Sequence, residues 1–348
     1  MDPRAHLLAG QVIPAHPLAL DADGRFSERH QRALTRYYLA AGAGGLAVGV
    51  HSTQFEIRLP RHGLYRPVLE LAARTLAEEQ ESAPRPVMMI AGLCGPTRQA
   101  LAEAELAGEL GYHAGLLSLG AWRDQPEAEI LAHCRRVART IPLVGFYLQP
   151  AVGGRVLPYA FWRQFAEIPE LVAIKIAPFN RYQTIDVVRA VIEAGRDDVA
   201  LYTGNDDTIV TDLLTPFTFT RGRRRVTRRI VGGLLGHWGV WTHNAVALLA
   251  EIKALGERAP LDQTSLERAN AVTDMNAALF DPAHNFRGCI PGILEVLRRQ
   301  GLLPTNRCLN PQEVLSPGQA EELTRVCHEN PALIDDDFVA EHKDQWLG

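Results

Sequence analysis

Eight short apolar runs, most of them followed by a segment of helical periodicity, constrain this chain more than anything else in it. The runs are Leu7–Ile13, Gly45–Val50, Pro86–Gly92, Ala114–Gly120, Ile141–Leu148, Leu171–Ala177, Val199–Gly204 and Gly232–Val240. They are continuous and rich in Val, Ile and Leu, the pattern of strands covered on both faces. The segments between them, such as Ser27–Ala43, Pro96–Gly111, Glu127–Thr140 and Tyr182–Ala194, repeat their apolar residues at helical spacing. Ser27 is an expected N-cap, and Gly111 and Gly195 are expected helix stops. Strand and helix alternating eight times predict a parallel (β/α)8 TIM barrel over residues 1–243. An open doubly wound sheet is the competing arrangement, but no GxGxxG follows the first run.

After residue 243 the strand pattern stops. Asn244–Leu255, Leu261–Phe280, Asn285–Gln300 and Pro311–His328 read as helices, so 244–348 is expected to be a helical region packed on the barrel. The final stretch, Pro331–Gly348, is acidic with scattered aromatics and is expected to be ordered only in part, by contact. Thr215–Arg229 breaks the rhythm: Phe217 and Phe219 alternate with threonines, and Arg221-Gly222 can turn the chain, which reads as a β-hairpin. Six arginines lie between 221 and 229. They read as a solvated surface, with a lid or interface attracting an anionic substrate as the sharper alternative.

Composition adds exclusions. With 348 residues, 47% hydrophobic and 22% charged, the chain is ordinary globular material able to bury a large core. A net charge of -4 argues against a nucleic-acid or membrane-surface protein. No signal-like N-terminus and no apolar run long enough to span a bilayer is present, so a cytoplasmic location is expected. The five cysteines, Cys94, Cys134, Cys289, Cys308 and Cys327, form no CxxC pair, so neither a disulfide framework nor a structural zinc site is expected.

The sixth run, Leu-Val-Ala-Ile-Lys-Ile-Ala, carries the chemistry. A lysine in the middle of a buried strand is costly unless something uses it or pairs with it. Alternation puts Ala173, Lys175 and Ala177 on one face, and Val172, Ile174 and Ile176 on the other. If the lysine face points into the barrel, the alanines leave room around the amine. Apolar surroundings then lower its pKa and yield the neutral amine that attacks a carbonyl. The competing reading is a lysine snorkelling from the strand end or paired with a buried carboxylate.

Other strand ends add candidates. Tyr147 sits near the C-terminal end of the fifth run, where it is expected to move protons to and from an imine, or else to pack its ring in a barrel layer. The second run ends in Gly49-Val-His-Ser-Thr-Gln-Phe-Glu56, whose His51, Ser52 and Thr53 offer hydroxyls and backbone N–H groups to a carboxylate. The seventh ends in Thr203-Gly-Asn-Asp-Asp207, with Gly204 and Asn205 expected at the substrate and an N-cap role as the alternative. A metal-dependent barrel would have to draw on His51, His113, His237 and His243, which form no HxH pair; no metal is expected.

On these motifs the chain resembles the dihydrodipicolinate synthase and N-acetylneuraminate lyase family, from about Gly10 to about Leu303. Pro14-Ala-His-Pro-Leu18 with Asp23-Gly24 resembles its first strand and loop. Gly49–Glu56 stands in place of its Gly-Thr-Thr-Gly-Glu motif, and Gly92 and Gly111–Gly120 in its third and fourth strands. Tyr147 with Pro150 and Gly154 is similar to its Tyr-Asn-x-Pro…Gly element, Ala173-Ile-Lys-Ile to its Gly-Ile-Lys, and Thr203-Gly-Asn-Asp to its Ser-Gly-Asp-Asp. Tyr147 and Lys175 are 28 residues apart, the most specific match.

The resemblance implies a Schiff base on Lys175 without other cofactor, proton transfer through Tyr147, a pyruvate-type 2-keto acid as substrate with an aldehyde as the second reactant, and a homo-oligomer, dimer or tetramer. Departures redirect the activity. Trp122 stands where synthases carry a relay tyrosine, and is expected to touch substrate. Ala151 and Val152 follow Pro150 where synthases place an arginine, with Arg155 displaced. The expected activity is therefore not dihydrodipicolinate synthesis but an aldolase or dehydratase reaction on another 2-keto acid. The alternatives are a keto-acid-binding protein without turnover and a metal-dependent barrel aldolase.

Overall fold

A computed structural model describes residues 1–255 and 260–348. The described residues form ten strands: β1 Val12–Pro14, β2 Gly45–Val48, β3 Met88–Leu93, β4 Ala114–Leu117, β5 Leu143–Leu148, β6 Leu171–Ala177, β7 Ala200–Thr203, β8 Phe217–Arg221, β9 Arg224–Arg228 and β10 Gly232–Leu235. Eight of them form one all-parallel sheet in the order β1-β10-β7-β6-β5-β4-β3-β2. The sheet closes on itself: Ala15 bridges Ala47, and the His16 N–H donates to the Ala47 carbonyl at 2.8 Å. The result is the (β/α)8 barrel read from the chain, not the open sheet.

Each apolar run supplies one strand, although the first is shorter than its run. Leu7 and Leu8 belong instead to a helix, Pro3–Leu8, that underlies the barrel. Its start is set locally, since Pro3 takes the first helical position and the Asp2 carboxylate accepts from the Arg4 N–H at 3.0 Å. Gly111 and Gly195 follow helix ends in left-handed conformations, φ 79° and 70°, which glycine enters without strain.

Two apolar layers follow from strand alternation. Ile13, Ala47, Met88, Leu116, Val144 and Phe146 fill the interior, while Leu143, Tyr147, Ile174 and Ile176 face the helices. One irregularity matters. Between β5 and β6 the register passes from Leu143↔Leu171 to Val144↔Ala173, leaving Val172 as an extra residue. Such a bulge lets two successive residues share a face; Val172 joins Ala173 in the interior rather than packing outward with the isoleucines.

The helix Thr242–Ala254 packs on β1 and completes the barrel's outer ring, so the barrel extends past residue 243. The helices Gln263–Phe280, Cys289–Arg299 and Gln319–Glu329 follow, and share one core with the ring. Pro311–Gly318, expected to be helical, precedes the last of these as turns and extended chain. The C-terminal stretch is ordered: Asp336–Leu347 is a helix lying along Glu28–Ala40, with Trp346 beside Tyr37 at 5.5 Å.

The hairpin forms as read, β8 pairing antiparallel with β9. It runs along the helix Arg181–Glu193. Arg221 pairs with Asp197, and Arg228 donates to the carbonyls of Arg196 and Val199, all in the connection entering β7. The tip with Arg223, Arg224 and Arg225 is therefore at the N-terminal ends of the strands. A lid over substrate is ruled out by that position.

Candidate active site

Lys175 enters the barrel interior from the middle of β6, and the side chains around it are small or flat. Ala173 and Ala177 flank it on the strand, and its ammonium position lies 4.6 Å from the centre of the Phe146 ring. Gly204, just past β7, supplies the remaining space. A Cβ there would stand 2.6 Å from Lys175 Cε and 2.8 Å from the Ala177 Cβ. The lysine is 9% exposed and lines one side of a cavity.

Burial favours the neutral amine and draws the Lys175 pKa down, opposed in part by the charge of Asp206. The same burial pushes the Asp206 carboxyl up, with the Lys175 charge pulling the other way. Lys175 thus releases its proton more readily than a free lysine, and Asp206 holds its proton more firmly than a free carboxyl. The nearby His237 backbone N–H favours the charged carboxylate, and Asp206 Oδ1 is buried without a hydrogen-bond partner among the described residues. Asn276, on Gln263–Phe280, donates to the Asp206 carbonyl at 2.6 Å, and Thr273 to that of Asp207 at 2.8 Å. The C-terminal region therefore fixes this loop.

His51 and Ser52 also line the cavity. Burial, and then the charge of Lys175, lower the His51 pKa to about 4, so its imidazole is neutral at physiological pH. Ser52 donates to the Ala15 carbonyl at 2.8 Å.

Four expected site residues lie elsewhere. Tyr147 points out of the barrel. β5 alternates so that Val144, Phe146 and Leu148 face inward, while a Cβ at Gly145 would meet the Phe165 ring of the outer helix at 2.5 Å. Phe146, not Tyr147, is paired with Lys175. The Tyr147 phenol instead donates to the Leu157 carbonyl at 3.2 Å and accepts from the Leu157 N–H at 3.1 Å, its ring against Trp162.

Thr53 is buried beneath the loop, donating to the His16 carbonyl at 2.6 Å and accepting from Gly49 and Val50 N–H. Asn205 turns away into a polar cluster, donating to Asp212 at 2.9 Å and Thr184 at 3.1 Å. Trp122 stacks on His133 at 4.4 Å and donates to the Gly95 carbonyl, outside the cavity. The displaced Arg155 is also elsewhere, donating to the Gln125 carbonyl.

The residues that went unread are Asp206 as the lysine's partner and Phe179, Phe280, Phe286, Cys289 and Ile293 as the outer wall. Asp206 had a signal, being one residue past Asn205 in the same strand-end motif. The wall residues had none, since their place depends on how the C-terminal helices fold back.

The histidines do not converge. His113 accepts from the Met89 N–H, His237 packs on Trp241 and His243 on Phe338. Among the described residues no three His, Cys, Asp or Glu side chains are grouped to hold a metal ion, and no helix is long and apolar enough to cross a membrane.

A parallel barrel with a buried strand lysine opposite a carboxylate defines the general class. Comparison narrows the fold. The chain is similar to 4-hydroxy-tetrahydrodipicolinate synthase of Synechococcus elongatus, 27% identical over 206 residues, which are 57% of this chain and 62% of that protein. It is 28% identical to the Cyanothece enzyme of the same name over 113 residues, 32% of this chain and 37% of that one. The matched stretches thus span less than two thirds of these relatives. No family model matches.

Solved structures cover nearly all of it. Dihydrodipicolinate synthase from Acinetobacter baumannii complexed with pyruvate superposes with a TM-score of 0.73 at 18% identity, covering 93% of this chain and 99% of that one. CdNal from Clostridium difficile in complex with mannosamine gives 0.71 at 14%, covering 92% and 98%. The fold is that of the dihydrodipicolinate synthase and N-acetylneuraminate lyase structures.

Proposed function

We propose that this chain is a divergent lyase of the Schiff-base aldolase type, acting on a pyruvate-type 2-keto acid through Lys175. The observation that carries the reading is the buried Lys175 amine sharing a cavity with the Asp206 carboxyl, each shifted toward its neutral form. A neutral amine is the nucleophile that adds to a keto carbon. A carboxyl of raised pKa gives and takes the protons that carbinolamine formation and dehydration require. Asp206 thus takes the role that the resemblance implied for Tyr147.

The iminium then accepts the electron pair released by carbon–carbon cleavage or by loss of water. The turn His51–Thr53 sits at the end of β2 with Ser52 on the cavity. The first N–H groups of such a turn lack partners within it, which suits the carboxylate of the keto acid.

Incubation with pyruvate and borohydride is expected to leave a reduced adduct on Lys175, read by peptide mass spectrometry. Absence of an adduct with pyruvate and every simple 2-keto acid tried would remove the proposal. The outward position of Tyr147 favours a second reading, a keto-acid-binding protein without turnover. Keto-acid binding that leaves no trapped adduct and no product is its expected signature. The chain is proposed to work as a homo-oligomer, dimer or tetramer, which sedimentation would measure.

A further inference from the structure

Away from Lys175 the cavity wall is mostly apolar, with Ser52 and Gln149 as its neutral polar side chains. Phe179 and Phe286 meet edge to face at 5.6 Å, with Phe280, Leu148 and Ile293 around them. The charged residues among those lining the cavity are Lys175 and Asp206, with His51 beside them. A distal carboxylate, phosphate or polyol chain would lose its hydration there with little in return.

Both phenylalanines are also held in backbone conformations that bulky residues avoid, φ 51° at Phe179 and 62° at Phe286. Strain of this kind persists only where neighbours over-determine it, and it concentrates at ligand clamps. The neighbours are present. The Phe179 N–H donates to Asn205 Oδ1 at 3.0 Å, and Asn205 is itself tied to Asp212 and Thr184. The Phe286 N–H donates to the Asp281 carbonyl at 2.9 Å. The Asp281 carboxylate in turn accepts from the Ser316 hydroxyl at 2.5 Å and the Gly288 N–H at 3.1 Å. Two separate loops are thus locked so that two rings in contact line one cavity.

We propose that Phe179 and Phe286 form an aromatic clamp, and that the substrate is a 4-hydroxy-2-keto acid carrying an aryl group on C4, cleaved to pyruvate and an aromatic aldehyde. This rests on the imine reading of Lys175. The amine condenses with the keto carbon and releases one water. The C3–C4 bond breaks, its electron pair enters the iminium to give an enamine, and the C4 hydroxyl proton passes to the Asp206 carboxylate as the aldehyde forms. The enamine takes that proton at C3, and one water hydrolyses the imine to free Lys175 and pyruvate. No oxidant or reductant is needed.

The test compares aldehyde release from 4-hydroxy-2-keto-4-phenylbutanoate with release from 2-keto-3-deoxygluconate, whose C4 carries a polyol. The phenyl substrate is expected to have a kcat/KM at least about tenfold higher, the scale on which a filled apolar pocket discriminates. Phe286→Ala should erase most of that preference, and Phe286→Leu, which keeps the bulk, should retain part of it. Equal rates, or preference for the polyol, in the wild-type protein would overturn the clamp. A pyruvate adduct on Lys175 together with that result would overturn the clamp alone. Binding of 3-phenyllactate, which has no carbonyl to attack, with no adduct from any keto acid would support the clamp and overturn the imine reading.

Discussion

Replacing Tyr147 by phenylalanine separates two accounts of this site. In one, the phenol is the proton carrier beside Lys175; in the other it is a brace outside the barrel. The geometry supports the brace, because the hydroxyl spans the Leu157 carbonyl at 3.2 Å and the Leu157 N–H at 3.1 Å while the ring lies on Trp162. Removing the oxygen leaves two buried backbone groups without that partner, which costs about 1–3 kcal/mol in total. The ring itself still fits, so no cavity term is added. Urea unfolding should show a lower midpoint with an unchanged slope, corresponding to about that loss. The rate at which borohydride traps pyruvate on Lys175 should stay within about twofold, since Leu157 lies beyond the loop that brings Gln149 and Val152 to the cavity. A fall of about 10²–10⁴ in trapping or turnover, the scale for loss of a proton-transfer group, with the urea midpoint unmoved would refute the argument.

Asp206→Asn should slow trapping by about 10²–10⁴. It should also move the acid limb of the pH profile downward, because the Asp206 charge is what raises the Lys175 pKa against the effect of burial. In the wild type the amine loses its proton below the ordinary lysine value of 10.5, so trapping should rise with pH and level off before that point; a half-maximum at or above it would contradict the burial argument. Gly204→Ala places a Cβ 2.6 Å from Lys175 Cε, so the amine must shift. Overpacking of this kind costs about 1–3 kcal/mol, and the adduct yield should fall while circular dichroism stays unchanged. Replacing Arg223, Arg224 and Arg225 together by serine should leave trapping rate and KM unaltered, because the hairpin tip lies at the other end of the barrel; a raised KM would contradict that placement.

Much of this molecule was legible without coordinates. Runs of Val, Ile and Leu too short for helices define the barrel strands, and a lysine between two alanines on one face of β6 marks the proposed reactive position, because period-two alternation is a property of the strand alone. Tyr147 shows where local pattern stops. Its 28-residue distance from Lys175 says nothing about facing, since strand pairing aligns Phe146 with Lys175 and the bulge at Val172 resets the register. The chain pointed to Asn205 and not to its neighbour Asp206; the turn after β7 sends Asn205 into a buried polar cluster and Asp206 to the amine. The outer wall was hidden most completely, because Phe280 and Phe286 reach the cavity only through the folding back of the C-terminal helices. Strand periodicity and the side chain's own chemistry determined which amine can react. Pairing register and long-range packing, which no short segment encodes, decided which carboxyl lies beside it and which rings line the cavity.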